Sequence, residues 1–285
     1  MLRVMGILVS SPAFDRVKAL AYLRSQFDPD VQLCHESPEK LEFQRTYWTM
    51  NDNCLAGQAL QRLGDNAIAQ AIRQKLKSIK LPFGHDASSN NGWADAFIDE
   101  QSIGHSPFRG TRCYRILSDG SLSKPLDCQG GLLGLMHEEA DGGLMLDEEN
   151  YFLLTASKTL SRHKDHDFIN RDRFIRRIEQ FWDMDNTGFR KKIDTPPASL
   201  KQTMNFAVYI LLGEKCGWPV SFSPDIQARA EVMLNRLQLR NGGFATQYFI
   251  HNDEILWPRT DTFGNVETTS LCVMANIDPG RYYQI

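Results

Sequence analysis

Residues 237–244 read LQLRNGGF and join an amphipathic segment to a second segment that opens with NVETT at residues 265–269. Glycine suits the left-handed conformation in which many helices end, and the aromatic residue after it can pack back on the helix. Related turns occur upstream as DGGL at residues 141–144 and DNTGF at residues 185–189. The recurrence predicts a chain built from helices joined by glycine turns.

Apolar residues recur at helical spacing along most of the chain. The segments on either side of Gly64 are separated by so short a turn that they must run antiparallel, which makes a helical hairpin. We predict about eight helices, at residues 17–26, 51–63, 65–79, 148–160, 168–182, 200–212, 224–237 and 266–275.

The later segments alternate in character. Residues 148–160, 200–212 and 266–275 are strongly apolar, whereas residues 168–182 and 224–237 carry a charged stripe. Helices that are apolar all round are buried, and helices with a charged stripe face water. The alternation predicts inner and outer helices, arranged as a ring of hairpins whose ligand binds where the inner helices begin.

Residues 84–146 interrupt the helical pattern because they are rich in Gly, Ser, Asn and Asp. Residues 113–117 predict a small β-hairpin that turns around Asp119-Gly120. We interpret residues 84–146 as an irregular and β insertion on the open face of the ring, not as a second domain. Residues 1–285 are then one domain, and a chain that is 42% hydrophobic has enough apolar residues for its core.

Three motifs resemble the α/α-toroid superfamilies, which comprise six-hairpin glycosidase-like and terpenoid cyclase–prenyltransferase-like proteins. They are LQLRNGGF (237–244), NVETT (265–269) and YWTMNDN (47–53). The resemblance implies an all-α fold, the α/α toroid, with a central cavity. A full toroid has six hairpins, so this ring is incomplete or residues 84–146 hold another helix, for example at 93–97.

The inner segments carry acidic residues where they begin. In a ring the first and last hairpins meet, so Asp52 and Glu267 become neighbours although they are far apart in sequence. Glycoside hydrolysis typically requires two carboxyl groups on opposite sides of one pocket, one as general acid and one as base or nucleophile. We therefore predict Asp52 and Glu267 as catalytic residues. The alternative is that both carboxylates only favour helix N-termini through the helix dipole.

Aromatic and amide side chains flank these carboxyl groups in sequence. Aromatic faces suit sugar rings and also hydrocarbon cations. We predict that the substrate contacts Tyr47, Trp48, Asn53, Tyr248 and Trp257.

Three functions are compatible with these residues. The first is a carbohydrate-active hydrolase, the second a cyclase or isomerase acting on an apolar substrate, and the third a non-catalytic binding scaffold. A wet pocket lined by carboxylates favours the first, and a dry aromatic pocket favours the second. DMDN at residues 183–186 approaches the D-x-D-D motif of terpene cyclases, but Asn186 replaces the last aspartate, so we interpret these residues as a turn.

Partners and compartment follow from composition. A net charge of −3 without a basic block does not favour nucleic acid, and the apolar start of the chain is too short to span a bilayer. Six scattered cysteines without a C-x-x-C pair favour a reducing, cytoplasmic compartment. We expect a small-molecule or oligosaccharide substrate, and the oligomeric state stays open.

Cofactor and metal motifs are missing from the sequence. HEE at residues 137–139 is not the H-E-x-x-H zinc motif, and the glycine pairs lack the G-x-G-x-x-G spacing of dinucleotide-binding proteins. HKDHD at residues 163–167 lies in the polar link between two predicted helices, where a solvated helix end is the simpler interpretation. We therefore expect neither a cofactor nor a metal.

Overall fold

The computed structural model describes residues 13–36, 47–78, 108–114, 134–140, 151–183, 188–193, 200–251, 254–258 and 263–277. More than half of these residues are helical, and the strands form small sheets. The predicted helix at residues 93–97 and the DGGL turn at residues 141–144 lie outside the described part of the chain.

Eight helices occur in the described segments, one for each predicted helix. They are α1 Arg16–Gln26, α2 Met50–Leu63, α3 Asn66–Ser78, α4 Phe152–Lys164, α5 Phe168–Glu179, α6 Met204–Cys216, α7 Pro224–Arg236 and α8 Val266–Asn276. The prediction of a mainly helical chain is confirmed, although α4 and α6 begin and end about four residues later than their apolar segments. Within the described residues, no helix has both the length and the apolar character needed to cross a membrane.

Within the described segments, short strands connect the helices in four small sheets. Two are antiparallel pairs, and a third has the order β10-β9-β8, also antiparallel. The fourth has the order β3-β5-β4, with β3 parallel and β4 antiparallel to β5. The strands are β1 Phe27–Asp28, β2 Leu33–Cys34, β3 Tyr47–Thr49, β4 Phe108–Tyr114, β5 Gly134–Ala140, β6 Trp182–Asp183, β7 Gly188–Phe189, β8 Lys201–Gln202, β9 Gln247–His251 and β10 Glu254–Leu256.

The insertion contributes β structure, but with a different pairing from the predicted one. A tight hairpin around Asp119-Gly120 would pair Cys113 with residues shortly after that turn. Cys113 instead lies opposite Met136 in β5. Residues 115–133 lie outside the described residues, so the structure shows the strands and not their connection.

The helices pack as hairpins and as a row of inner helices. α2 packs on α3, α4 on α5, and α6 on α7, as expected for consecutive antiparallel helices. Across hairpins, α8 packs between α2 and α6, and α6 packs on α4. We call α2, α4, α6 and α8 the inner helices. The described residues of α6 and α8 are buried almost throughout, whereas α5 and α7 expose charged residues.

The inner helices begin at the same end of the fold, and α4, α6 and α8 show this through direct contacts. The Phe189 ring lies 4.9 Å from that of Phe152, which opens α4, and 5.8 Å from that of Phe206 in the first turn of α6. Residues 244–246 join the starts of α6 and α8, because Thr246 accepts a hydrogen bond from the Thr203 N–H and Phe244 donates one to Thr269 Oγ1. These three helices therefore run parallel.

Candidate functional site

The start of α2 and the start of α8 are held to the same short segment, residues 33–36. The Asn53 amide accepts from the Cys34 N–H at 2.6 Å and donates to the Cys34 carbonyl at 3.1 Å. Two residues further on, the Glu36 carbonyl accepts from the Val266 N–H at 2.8 Å. Because two residues span at most about 7 Å, the first turns of α2 and α8 lie side by side.

A second link ties the opposite ends of the same two helices. Arg62, in the last turn of α2, donates through Nη1 to the Met274 carbonyl at 2.8 Å and the Ile277 carbonyl at 3.2 Å, at the end of α8. With both pairs of ends joined, α2 and α8 run parallel. Asp52 and Glu267 therefore lie at the same end of the fold, on neighbouring helices.

Neither predicted catalytic carboxyl group occupies the capping position of its helix. Asp52 is the third residue of α2, and Glu267 is the second residue of α8. The cap of α8 is Asn265, whose side chain accepts the Thr268 N–H at 2.9 Å. Asp52 is 4% exposed, and Glu267 is half-buried. Both lie in the first turn of a helix, a position where acidic residues are common.

Glu36 is a third carboxyl group at this end, and the sequence analysis missed it. Burial raises the pKa of Glu36 above its ordinary value of 4.5. Asp52 also lies close to this segment, because the adjacent Asn53 is hydrogen-bonded to Cys34. Burial, followed by the Asp52 charge, raises the pKa of the Cys34 thiol. Glu36 belongs to no recognisable motif, so the sequence gives no signal for it. The fold brings its backbone to α8 through the hydrogen bond from the Val266 N–H.

The predicted substrate contacts separate into three groups. Asn53 is fully buried and engaged with Cys34, so its amide holds residues 33–36 in place. Tyr248 is fully buried and stacks on Phe206 at 5.9 Å, beside the start of α6, while Trp257 is half-buried after β10. Tyr47 and Trp48 form β3, which runs directly into α2.

A buried lysine lies near the start of α6, and the sequence analysis did not single it out. Lys201 Nζ lies 3.2 Å from Asp183 Oδ2, and both side chains are almost fully buried. Tyr248 is the partner of Lys201 in the β8–β9 pair. We call Lys201, Asp183 and Tyr248 the lysine centre. Asp183 is thus part of a buried ion pair, and the rest of the predicted turn, residues 184–186, lies outside the described residues.

The lysine centre is closely packed, and burial shifts the pKa values of two of its members. A Cβ atom on Gly188 would clash with the Tyr248 hydroxyl and would lie 2.7 Å from Lys201 Cδ. Desolvation by burial lowers the pKa of Lys201 although Asp183 opposes the shift, and burial with the Asp183 charge raises the pKa of Tyr248. These opposite shifts have a common cause, because burial disfavours whichever form is charged.

Aromatic rings fill the space between α4 and α6. Their centroids lie 4.9–6.2 Å apart in a continuous cluster. The cluster is Phe152, Phe181, Trp182, Phe189, Phe206, Tyr209 and Tyr248, and each member is at most 6% exposed. These rings pack on one another as a core, and Tyr248 connects them to the lysine centre.

Within the described residues, no group of three or more His, Cys, Asp and Glu side chains is placed to hold a metal ion. No protein-family model, curated protein or solved structure matches the chain.

Proposed function

We propose that the chain is a carbohydrate-active hydrolase of the α/α-toroid type, with its substrate site at the end where the inner helices begin. The inner row, in the order α2, α8, α6 and α4, has an outer helix packed behind α2, α4 and α6, and α1 packs on both α2 and α8. This order supports a ring in which the last inner helix returns to the first. Parallel inner helices would direct all their first turns into one mouth.

The observation that carries the proposal is the placement of Asp52 and Glu267 in the first turns of two parallel, packed helices. The axes of packed helices lie about 8–10 Å apart. This spacing is of the order that separates the two carboxyl groups of glycosidases, about 5–10 Å.

The environments favour different roles for the three carboxyl groups. Glu36, whose pKa burial raises, suits the general acid that protonates the departing glycosidic oxygen. Asp52 and Glu267, in the first turns of α2 and α8, take the role of base or nucleophile. Water supplies the hydroxyl that replaces the leaving group, either in one step or after a glycosyl-enzyme ester has formed.

The substrate is a small molecule or an oligosaccharide, and the compartment is the cytoplasm. The compartment is supported by three buried thiols of the described segments, Cys34, Cys216 and Cys272, which form no disulfide. Free thiols persist where the surroundings are reducing.

The test is hydrolysis of a panel of 4-nitrophenyl glycosides and reducing-end release from common polysaccharides. On any substrate that is cleaved, Asp52→Asn, Glu267→Gln and Glu36→Gln are each expected to lower kcat/KM by about 10²–10⁴-fold, because each removes a proton-transferring or charged group from the transition state. The melting temperature is expected to stay nearly unchanged, since these substitutions preserve shape.

Glu231→Gln is the matched control, because Glu231 is an exposed carboxylate on the outer helix α7. It should leave kcat/KM unchanged. Full activity in the Asp52 and Glu267 variants would contradict the proposal. A large loss of stability in both would make these residues structural, and saturable sugar binding without any cleavage would favour a binding scaffold.

A further inference from the structure

Asn205 is a buried polar residue whose hydrogen-bonding groups are unused. It lies in the first turn of α6 and is 0% exposed. Neither Oδ1 nor Nδ2 has a hydrogen-bond partner among the described residues. A buried polar group without a partner destabilises the fold, so an asparagine of this kind requires an explanation beyond packing.

Two neighbouring side chains share the property. The Oγ1 atom of Thr203 is buried without a partner in the described part of the chain, and the threonine makes no capping bond to α6. The same holds for Oε1 of Gln202 in β8. Three of the four residues 202–205 therefore have polar side-chain atoms without a hydrogen-bond partner, all at the start of one helix.

The position of Asn205 in the first turn of α6 brings its amide to the end where the inner helices begin. In an α-helix each Cα–Cβ bond tilts towards the N-terminus, so a side chain in the first turn covers the turn that precedes it. The start of α6 adjoins the start of α8 through residues 244–246. Asn205 and the predicted catalytic residue Glu267 thus belong to the same end of the fold.

The chemistry of the unpaired atoms restricts the ligand. The Asn205 amide offers donors and an acceptor, the Thr203 hydroxyl offers both, and the Gln202 oxygen only accepts. An oxyanion accepts but cannot donate, so it would leave Oδ1 and Oε1 unsatisfied. An apolar ligand would leave every group unsatisfied. Neighbouring hydroxyl groups, which both donate and accept, match the whole set.

We infer that Thr203, Asn205 and Gln202 form a subsite that binds the hydroxyl groups of a sugar ring. The subsite rests on the proposed function for its place beside a hydrolytic centre, but its binding needs neither Asp52 nor Glu267. It holds a polyhydroxylated ligand at the start of α6 and excludes both apolar ligands and simple oxyanions.

The experiment is an NMR titration of the full-length ¹⁵N-labelled protein with D-glucose, D-galactose and D-xylose. The Asn205 side-chain amide pair is identified by its loss in Asn205→Leu. We expect this pair to shift saturably with at least one sugar and not with sodium sulfate or cyclohexanol. Asn205→Leu should bind that sugar at least about tenfold more weakly.

Two variants keep the result interpretable. Thr203→Val preserves shape and should also weaken binding, so the inference remains testable if Asn205→Leu fails to fold. Asn235→Leu is the matched control on the outer helix α7, since its Oδ1 is also buried without a partner in the described segments. Asn235→Leu should bind sugar like the unmodified protein.

The outcomes separate the subsite from the proposed function. Sugar binding that depends on Asn205 but not on Asp52 or Glu267, in a protein without hydrolase activity, would support the subsite and reject the hydrolase. Hydrolysis that is insensitive to Asn205→Leu and Thr203→Val would reject the subsite alone. An amide pair that shifts only with sulfate, or with none of the probes, would also overturn the inference.

Discussion

Gly242 holds the turn after α7 against the backbone of α1. Its φ of +94° lies in the left-handed region, and a Cβ atom there would clash with the Lys18 carbonyl group. Gly64, between α2 and α3, has the same φ of +94° but open space around its Cα. The two glycines share a backbone conformation and differ in what packs on them.

The comparison of Gly64 with Gly242 allows the effects of two alanine substitutions to be predicted. Gly64→Ala should destabilise the protein by about 1 kcal/mol through backbone strain alone. Gly242→Ala should cost that amount and roughly 1–3 kcal/mol more, because α1 must move away from the turn. Urea unfolding of both variants measures the difference. Equal losses would show that α1 does not constrain the turn.

The GGF turn also shows how far a sequence motif predicts structure. A glycine turn after residues 224–237 was predictable, since helical period and glycine conformation are both local properties. Its contact with α1 was not, because Lys18 lies more than two hundred residues earlier in the chain. The detail also differs: α7 ends at Arg236 with Leu237 as its cap, and Gly242 belongs to the following turn.

At the scale of elements, the lysine centre joins the β6–β7 pair to the β8–β9 pair. The Lys201–Asp183 ion pair does so at an Nζ–Oδ2 distance of 3.2 Å with both side chains buried. On α1, Lys18 and Asp15 form a pair at the same 3.2 Å, with side chains that are 58% and 39% exposed. Because the two ion pairs have the same N–O distance and differ in burial, comparing them measures how burial changes the contribution of an ion pair to stability.

Removing the lysine from the buried pair should lower the free energy of unfolding more than removing it from the exposed pair. Lys201→Met is expected to destabilise the protein by about 3–5 kcal/mol, because Asp183 is left as an uncompensated buried charge. Lys18→Met should change stability by no more than about 1 kcal/mol, since solvent screens an exposed pair. Chemical denaturation measures both free energies of unfolding. Adding Asp183→Asn to Lys201→Met should recover part of the loss, and a purely additive double variant would contradict this account.

No local pattern identifies the lysine centre. Lys201 reads as a polar residue before an apolar helix, and Asp183 reads as part of a turn. Their contact depends on the register in which Lys201 lies opposite Tyr248 and Asp183 lies opposite Gly188. Strands of two residues carry too little periodicity to predict such a register.

At the scale of the whole molecule, helices were predictable and their neighbours only partly so. All eight helices of the described segments follow local apolar spacing, whereas the parallel course of α2 and α8 depends on Asn53, Glu36 and Arg62 acting at long range. Asp52 and Glu267 were placed at one end by analogy with a ring. Glu36 and Asn205 could not be selected, because their burial appears only in the fold.

The same burial predicts how stability responds to alkaline pH. Among the described residues, five side chains that ionise by losing a proton have raised pKa values because they are desolvated: Cys34, Cys216, Cys272, Tyr209 and Tyr248. In the unfolded chain these groups ionise near their ordinary values of 9.0 for cysteine and 10.0 for tyrosine. Burial raises the pKa of Cys216 to about 12.

Above about pH 9 the unfolded chain therefore holds fewer protons than the fold, and the free energy of unfolding must fall as pH rises. Each group contributes up to about 1.4 kcal/mol per pH unit. Lys201 acts in the opposite direction, because its lowered pKa makes the unfolded chain hold more protons up to its ordinary value of 10.5. Lys201 alone opposes the five cysteines and tyrosines, so the free energy of unfolding is expected to fall as pH rises above about 9.

Urea unfolding of the reduced protein at pH 7.5, 9 and 10 tests this slope. Stability should be nearly constant up to about the ordinary thiol value of 9.0 and then fall steeply. Cys272→Ala should shift the whole curve downwards by leaving a small cavity, but its slope above pH 9 should be shallower by one group's share, because one thiol no longer titrates. A free energy of unfolding that stays constant through pH 10 would contradict this account. These thiols and phenols would then ionise as readily in the fold as in the unfolded chain, and solvent would reach them more than the packing of α6 and α8 implies.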